Sequence, residues 1–484
     1  FETTDAQYWD GTARSYHTRL LQFAPNYNYY DGEERFYLPN GVAFAETLWG
    51  CIHAGVVGSP LNPEYRRREI TYQLDHSEAK AVVCDGDREE YAAPVAEELG
   101  VEVISSDPDS EFTTLDDLAA GGGDVLVDRE DDDTLLQPYT SGTTGQPKGV
   151  LLTHKNFRVQ MVHGISSYTG SQIWGDALII LPMYHITGCL GVLTGTATGR
   201  TVRMLRPDEW DPERVLEILT EHDVPAFTGV ATMFADLLDA YDPEKHDLES
   251  LYRAGQGGDK LPTPVHEEAE ETLDVAVSEG YGLTETTAGT HTIRSSTLGD
   301  KLGSVGQPLG HTDSKIIDPE TGERVPIGEE GELVMRGPQV MKGYVDEANT
   351  REAFTDDGFF KSGDRAWKDE DNYHYIVGRE KDMILTAGYN VYPSEVEQVF
   401  YDHPEIHEAA VFGVAHERRG ETVAAAVTLV EGSDLDEEAI QDYVLEELAP
   451  YKHPRHVLIR DELPKTGSGK IQKHVLAEEF ESEE

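Results

Sequence analysis

The chain has 484 residues and a strongly unequal charge balance, because 92 Asp and Glu against 39 Lys and Arg give 39 − 92 = −53. A surface this acidic repels nucleic acid and anionic membranes, so neither is an expected partner. The length exceeds the roughly 100–200 residues of one domain, and two or three packed units are therefore expected.

The acidic residues are spread along the whole chain and do not form a tail. Salt screens such self-repulsion over short distances, so the composition predicts a salt-adapted, haloarchaeal-like protein of a high-salt cytoplasm. An ordinary acidic cytosolic protein is the alternative. Pro182 and His185 interrupt the longest apolar stretch, which leaves no run near the ~18 residues of a membrane span. The opening FETTDAQYWD has no secretory features, and we expect a cytoplasmic location.

The three cysteines, Cys51, Cys84 and Cys189, stand far apart in mostly apolar surroundings. Their odd number and the absence of a C-x-x-C spacing argue against a disulfide framework or a zinc site. The sequence therefore predicts three buried thiols.

The first 40 residues show no clear hydrophobic period, but strand and helix patterns alternate from Val42 onward. AFAETLWGCIHAG reads as a helix that ends at Gly55, AKAVVCD as a buried strand and EEYAAPVAEEL as a helix. GVLLTHKNFRVQMV reads as a strand, an N-cap at Thr153 and a helix, and ALIILP as another strand. This alternation predicts an α/β fold with a parallel, doubly wound sheet.

The pattern changes after about residue 330, where Gly-rich segments with short strand patterns indicate a β-rich subdomain. Further on, Ser394 and Glu397 match a capping box at the start of a helix. EAAVFGV and ETVAAAVTLV read as strands, and residues 435–448 as an amphipathic helix. These elements predict a small C-terminal α+β domain of ordinary size.

The stretch YTSGTTGQPKGV, residues 139–150, combines Gly, Ser and Thr with a single lysine, Lys148. Backbone N–H groups and hydroxyls of such a loop suit an anion, and the ammonium offsets its charge. The spacing G-x-x-x-x-G-K-[ST] of the P-loop is not met, because Pro147 precedes Lys148 and Gly149 follows it. A phosphate site built in another way is the hypothesis that remains, with a flexible linker as the alternative.

Five motifs follow one another along the chain: YTSGTTGQPKG (139–149), PMYHITG (182–188), EGYGLTET (279–286), DGFFKSGD (357–364) with GREKD (378–382), and PKTGSGKI (464–471). Together they resemble the adenylate-forming superfamily of acyl-CoA synthetases, peptide-synthetase adenylation domains and beetle luciferases. The resemblance runs from about Val42 to Lys473. It implies an N-terminal adenylation domain over residues 1–380 and a mobile C-terminal domain over residues 381–484, with a hinge at Lys381.

The resemblance also implies a site for Mg²⁺ and ATP. It assigns ATP contacts to Thr140, Ser141, Gly142, Thr143, Thr144, Gly145, Lys148, Glu279, Gly280, Tyr281, Gly282, Thr284, Asp364 and Arg379. Tyr281 stacks on adenine, Thr284 reaches the α-phosphate, and Asp364 accepts ribose hydroxyls with help from Arg379. Glu285 holds Mg²⁺, since a carboxylate suits a hard cation that bridges phosphates.

Two further residues are implied to be catalytic. Lys470 bridges the substrate carboxylate and the α-phosphate, where a cation offsets the repulsion of two anions that must meet. His185 lies beside the acyl carboxylate and gates the thiol tunnel; a structural histidine of the core is the alternative. CoA is implied to bind at Gly388 and Tyr389, where glycine lets the backbone approach pantetheine closely.

The acyl group is implied by the residue after Tyr281. Acetate-type members have Trp there, whereas this chain has Gly282, so a larger acyl group is expected. Candidate lining residues are His185, Thr228, Gly229, Val230 and Gly255. The resemblance thus implies an ATP-dependent acyl-CoA ligase that acts on a medium- or long-chain fatty acid and releases AMP and pyrophosphate.

Other functions stay open at this stage. An aryl-acid CoA ligase of the coumarate or benzoate type is the nearest alternative. The region before FYLPN fits the family's opening only in part, which leaves a non-catalytic nucleotide- or acyl-binding relative as another. An adenylation domain that loads a carrier protein is also open, whereas a luciferase-like oxidase is disfavoured because Leu385 replaces the lysine of those enzymes. A homo-oligomer stays open as well.

Overall fold

The computed structural model describes residues 7–9, 33–120, 127–140, 147–166, 175–206, 210–258, 260–293, 301–379, 382–386, 389–416, 419–430, 432–466 and 469–483. The fold is α/β, with a large N-terminal domain and a small C-terminal domain, as predicted.

The strands are Gln7–Trp9 (β1), Glu33–Tyr37 (β2), Val57–Pro60 (β3), Ala81–Cys84 (β4), Glu102–Ser105 (β5), Thr113–Thr114 (β6), Thr134–Leu136 (β7), Tyr139–Thr140 (β8), Lys148–Thr153 (β9), Ala177–Ile179 (β10), Val202–Met204 (β11), Ala226–Gly229 (β12), Arg253–Gln256 (β13), Ala276–Leu283 (β14), Ala288–Thr292 (β15), Gln307–Pro308 (β16), Asp313–Ile317 (β17), Gly331–Arg336 (β18), Gly343–Tyr344 (β19), Phe360–Lys368 (β20), His374–Arg379 (β21), Ile384–Thr386 (β22), Tyr389–Val391 (β23), Ile406–His416 (β24), Gly420–Leu429 (β25) and His456–Ile459 (β26). The α-helices are Val42–Ala54 (α1), Arg67–His76 (α2), Glu89–Leu99 (α3), Leu115–Ala120 (α4), His154–Ser166 (α5), Ile186–Ala197 (α6), Pro212–Glu221 (α7), Ala231–Ala240 (α8), Thr263–Leu273 (α9), Glu347–Ala353 (α10), Pro393–Tyr401 (α11), Glu437–Glu447 (α12) and Lys473–Glu483 (α13).

The largest sheet has the strand order β19-β9-β7-β3-β2-β4-β5-β6, with β8 paired to β9. Strands β2 to β6 pair in parallel, whereas β9 runs antiparallel to β7. Alternate residues of β4 enter different cores, since Ala81 and Val83 pack in one cluster and Val82 and Cys84 in another. A strand buried on both faces requires helices on both sides, which is the doubly wound arrangement that the sequence predicts.

The second sheet has the order β12-β13-β14-β15-β16. Strands β12, β13 and β14 pair in parallel, and β15 turns back antiparallel to β14. Their shared register brings the carboxyl ends of the three parallel strands to one edge, where ligands bind in open α/β sheets. A short third sheet, β1-β11-β10, lies in the same domain.

The β-rich subdomain expected after residue 330 is the antiparallel sheet β17-β18-β20-β21, which begins at Asp313. Its edge hairpin β20–β21 places Asp364 opposite Arg379. The strand pairing therefore brings together two residues that lie 15 positions apart in the sequence.

The small domain is built on the order β23-β22-β25-β24, with β26 parallel to β25. Both predicted strands are present as β24 and β25, and the predicted helix 435–448 is α12. The prediction of a capping box at Ser394 and Glu397 is wrong, because the N-cap residue is Tyr392. Helix α11 begins at Pro393, so Ser394 lies inside the helix and donates to the Val377 carbonyl at 2.5 Å. Glu397 accepts from the Val411 N–H of the neighbouring strand β24 at 2.8 Å instead.

Other local predictions are confirmed. Helix α1 ends at Gly55, whose φ of 68° is left-handed. Thr153 precedes α5, and its hydroxyl accepts from the Asn156 N–H at 3.3 Å. Cys51, Cys84 and Cys189 are buried and free. Over the described ranges, no helix is long and apolar enough to span a bilayer.

Candidate active site

One corner of the site joins an aromatic ring, a carboxylate and a guanidinium. The Tyr281 hydroxyl, at the end of β14, donates to Asp364 Oδ2 at 2.5 Å, and Arg379 Nε lies 3.4 Å from Asp364 Oδ1. Asp364 is only 3% exposed, and burial raises its pKa, whereas the Arg379 charge and the Tyr281 hydrogen bond oppose the rise. Burial, and after it the charge of Asp364, raises the pKa of Tyr281 well above its usual range, so the phenol stays a donor.

The second corner surrounds Glu285, which follows Thr284 in a short 3-10 turn. Glu285 Oε1 accepts from the Tyr344 hydroxyl at 2.8 Å and from Thr140 Oγ1 at 3.3 Å. The ammonium of Lys148 lies 5.3 Å from the centroid of the Tyr344 ring. Tyr344 therefore connects the carboxylate with the lysine at the end of the predicted phosphate loop.

The Tyr344 contacts follow from the sheet. Strand β19 pairs with β9, so Tyr344 faces Val150, two residues beyond Lys148. A cavity of about 270 Å³ opens beside these side chains; its lining residues are Tyr72, His76, Pro147, Lys148, Gly149, Tyr344, Asp346 and Asn349. The predicted phosphate loop thus ends at a recess that contains a basic side chain.

The donor set around Glu285 fits Mg²⁺ that arrives with a phosphate ligand. No group of three potential ligands occurs within the described part of the chain, so a cage made of protein groups alone is not available there. Mg²⁺ commonly binds through one or two carboxylates together with waters and substrate phosphates. Tyr344 and Thr140 orient one oxygen of Glu285, and a cation that binds here would be held by the other.

Lys470 comes from the small domain and contacts the large one. Its ammonium donates to the Gly258 carbonyl at 3.2 Å. Burial and, after it, the Lys470 charge lower the pKa of His185, and the same charge opposes the rise that burial causes in the pKa of Asp364. The charge of the lysine therefore acts on two predicted site residues that are far from it in the sequence.

His185 occupies the N-cap position of α6, and its ring centroid lies 4.6 Å from that of Tyr184. The side chain is exposed to solvent, although many protein atoms lie around it. Restricted hydration and, second, the Lys470 charge lower its pKa to about 4. His185 is therefore neutral at pH 7, which suits an orienting or gating role better than a charged one.

The predicted acyl-lining residues come from two neighbouring strands. Thr228 on β12 pairs with Gly255 on β13, and Gly229 precedes Val230, the N-cap of α8. A Cβ added at Gly469 would lie 3.2 Å from Val230 Cγ2, so this segment touches the loop of Lys470.

Gly282 has a structural reason to be glycine. A Cβ at this position would lie 1.8 Å from the Ala288 carbonyl oxygen, at the irregularity between β14 and β15. The missing side chain would therefore point into the sheet, and not into a pocket. The inference from Gly282 to a larger acyl group has no support from this geometry.

Several predicted site residues lie in neither of these two groups around Asp364 and Glu285. The Glu279 side chain is 2% exposed, and its carboxylate lies 3.3 Å from His266 Nδ1. Although burial lowers the pKa of His266, the carboxylates of Glu279 and Glu270 raise it overall. Gly280 pairs with Thr292 in the sheet.

Tyr389, in the small domain, is 55% exposed and stacks on Tyr451 with centroids 4.5 Å apart. The remaining predicted residues lie outside the described part of the chain; they are Ser141, Gly142, Thr143, Thr144, Gly145, Lys381 and Gly388.

Sequence reasoning missed Tyr344 and the His266–Glu279 pair. Tyr344 stands in MKGYV, a short run with no catalytic pattern, and only strand pairing brings it to Glu285. His266 lies on α9, 13 residues before Glu279, and the packing of that helix on β14 creates the ion pair.

Comparison with known proteins identifies the family. The AMP-binding enzyme family matches residues 35–345, and the AMP-binding enzyme C-terminal domain matches residues 395–470. The long-chain-fatty-acid–CoA ligase of Bacillus subtilis is 38% identical over 73% of this chain, which spans 63% of that protein's length. A feruloyl-CoA synthase of Amycolatopsis is 34% identical over 93% of this chain and 89% of its own.

Among solved structures, ATP-bound MatB from Rhodopseudomonas palustris superposes with a TM-score of 0.87 at 32% identity, over 96% of this chain and 93% of that one. The chain therefore belongs to the AMP-binding enzyme family, among its CoA ligases.

Proposed function

We propose that the protein is an ATP-dependent acyl-CoA ligase that forms an acyl-adenylate and then an acyl-CoA thioester. The observation that carries the proposal is the position of Lys470. It reaches across from the small domain to the Gly258 carbonyl, and its charge acts on both His185 and Asp364. A cation brought there by a separate domain can serve one half of a two-step reaction and be withdrawn for the other.

In the first step, a carboxylate oxygen of the acid attacks the α-phosphorus of ATP, and the bond to pyrophosphate breaks. Lys470 offsets the charge that accumulates as the two anions meet. Asp364 accepts the ribose hydroxyls beside Arg379, Tyr281 lies against the adenine, and Thr284 binds the α-phosphate. Thr140, the loop residues 141–145 and Lys148 receive the departing phosphates, while the backbone of residues 279–282 lines the nucleotide site.

Mg²⁺ would be held by Glu285 and would neutralise phosphate charge when bound. The chain's own contribution is to orient that carboxylate through Tyr344 and Thr140. Both hydroxyls donate to the same oxygen, which fixes the carboxylate before the nucleotide arrives.

In the second step, the thiolate of CoA attacks the acyl carbon and AMP leaves with the bonding electron pair. We place the domain boundary between residues 380 and 381, with Lys381 as the hinge that allows the small domain to turn. Gly388 and Tyr389 then contact CoA. The exposure of Tyr389 in the present arrangement is compatible with a role in the other one.

A medium- or long-chain fatty acid is the proposed acid, in the pocket of His185, Thr228, Gly229, Val230 and Gly255. The similarity to the Bacillus subtilis long-chain ligase supports it. An aryl acid is the second candidate, since the feruloyl-CoA synthase relative matches nearly the whole chain.

The net charge of −53 supports a further proposal, that the protein works in a salt-rich cytoplasm. Activity is expected to rise with KCl, because ions screen the repulsion within the folded chain. An activity maximum below about 0.2 M KCl would contradict this adaptation and leave the ligase proposal untouched.

The test is pyrophosphate release with Mg·ATP, CoA and a panel of fatty and aryl acids. Wild-type protein is compared with Lys470→Ala and with Lys155→Ala, a control at an exposed lysine 3.6 Å from Asp132. Acid-dependent release that Lys470→Ala abolishes and Lys155→Ala preserves supports the proposal, and the preferred acid decides between the two substrate classes. No release with any acid, while ATP still binds, favours a non-catalytic relative.

A further inference from the structure

The loop of Lys470 is anchored to the large domain next to the lysine itself. Thr232 Oγ1 donates to the carbonyl of Gly469 at 3.2 Å. That carbonyl belongs to the peptide unit whose N–H is that of Lys470, so the bond fixes the backbone that carries the ammonium. Thr232 lies in the first turn of α8, two residues after the predicted acyl-lining residue Val230.

The described residues on either side of the Lys470 loop are joined by backbone hydrogen bonds. The Thr466 N–H donates to the Lys470 carbonyl at 2.8 Å, and the Gly469 N–H donates to the Thr466 carbonyl at 2.8 Å. Lys465 and Ile471 form an isolated antiparallel bridge at its base. A contact at the Gly469 peptide therefore orients the neighbouring Lys470, whose backbone these bonds hold.

Gly469 lies close to Thr232 and Val230. Its φ of +80° is left-handed, and a Cβ there would lie 3.1 Å from Thr232 Oγ1 and 3.2 Å from Val230 Cγ2. The glycine therefore permits both the turn and the close approach to α8. The Lys470 ammonium binds the Gly258 carbonyl at 3.2 Å, so peptide and side chain each have a partner on the large domain.

We propose that Thr232 is a positioning residue for the adenylation half-reaction. Its hydroxyl holds the small domain in the orientation that brings Lys470 to the site. The inference rests on the proposed ligase function. Thr232 contacts the Lys470 loop in this arrangement. A rotation of the small domain that withdraws Lys470 would break the contact, so the hydroxyl stabilises the adenylating orientation and has no part in the thioester-forming one. Its loss is expected to slow the first half-reaction and to spare the second.

The experiment measures the two half-reactions separately in the full-length protein. Adenylation is followed as acid-dependent ATP–pyrophosphate exchange without CoA, and thioester formation as acyl-CoA produced from synthetic acyl-adenylate and CoA. The variants are Thr232→Val, which keeps the shape without the hydroxyl, Thr232→Ala as a second deletion, and Thr232→Ser, which restores the donor. Thr263→Val, in the first turn of the next helix, is the matched control.

Thr232→Val and Thr232→Ala are expected to lower the exchange rate about two- to tenfold, the range for one neutral hydrogen bond, with thioester formation unchanged. Thr232→Ser is expected to lie within about twofold of wild type, as is Thr263→Val. Equal loss in both half-reactions, or unchanged exchange in Thr232→Val, would overturn the inference. Absence of exchange in the wild type with every acid would instead refute the proposed function.

Discussion

Replacing Tyr344 with Phe tests whether Glu285 must be oriented before the nucleotide binds. Phe keeps the ring beneath the Lys148 ammonium and the packing of a residue that is 9% exposed. Only the 2.8 Å hydrogen bond to Glu285 Oε1 is lost. The change therefore separates the hydroxyl from the rest of the side chain.

The expected magnitude follows from the charge and exposure of the acceptor. A hydrogen bond to a charged group contributes about 1.5–3 kcal/mol. Glu285 is only half-buried and retains Thr140 as a second donor, so the lower end applies. About 1.5 kcal/mol corresponds to roughly a tenfold decrease in kcat/KM for Mg·ATP.

The assay is the initial rate of pyrophosphate release against Mg·ATP concentration, with thermal unfolding as a check on the fold. Tyr91→Phe, at a half-buried tyrosine whose ring lies beneath Arg66, is the control. In a Glu285→Gln background, Tyr344→Phe is expected to cost less than about threefold, because the charged acceptor is already gone. A single variant within twofold of wild type, or equal losses in both backgrounds, would refute the reasoning.

Three further predictions concern the buried groups. Asp364→Asn keeps an acceptor for Tyr281 but loses the charge, and the Kd for ATP measured by calorimetry is expected to rise about tenfold; an unchanged Kd would remove Asp364 from the nucleotide site. Gly282→Ala places a Cβ against the Ala288 carbonyl and is expected to lower the free energy of unfolding by about 1–3 kcal/mol in urea titrations, so a neutral effect would contradict the geometry. His374 is fully buried, and chiefly this burial lowers its pKa from 6.5 to about 4. Between these two pH values the unfolded state binds more protons than the folded state does. The free energy of unfolding therefore decreases as the pH falls from 6.5 to 4. Urea titrations at pH 7 and pH 4 should show about 3 kcal/mol less acid destabilisation in His374→Gln than in wild type, and equal pH dependence in the two proteins would be the contrary result.

The sequence alone determined most local elements of this protein. Helices α1 and α3, strands β4, β24 and β25, and the left-handed cap at Gly55 follow from hydrophobic period and glycine placement. These signals lie within a few residues of the elements that they predict. The order of the five motifs also identified the family, since each motif is a continuous run in the sequence.

Tertiary structure decided what those local patterns do. Ser394 and Glu397 match a capping box, yet Pro393 starts the helix and neighbouring strands take both side chains. The sequence pattern related Gly282 to the size of the acyl group, whereas the close approach of the β15 backbone already requires a glycine at this position.

Tertiary structure alone also brought the distant partners together. Tyr344 reaches Glu285 across 59 residues, and Thr232 reaches Gly469 across 237. Strand pairing and domain docking create such contacts, and a contact between distant segments leaves no periodic trace in either of them. The sequence therefore determined the elements and the family, and only the tertiary structure decided which side chains meet.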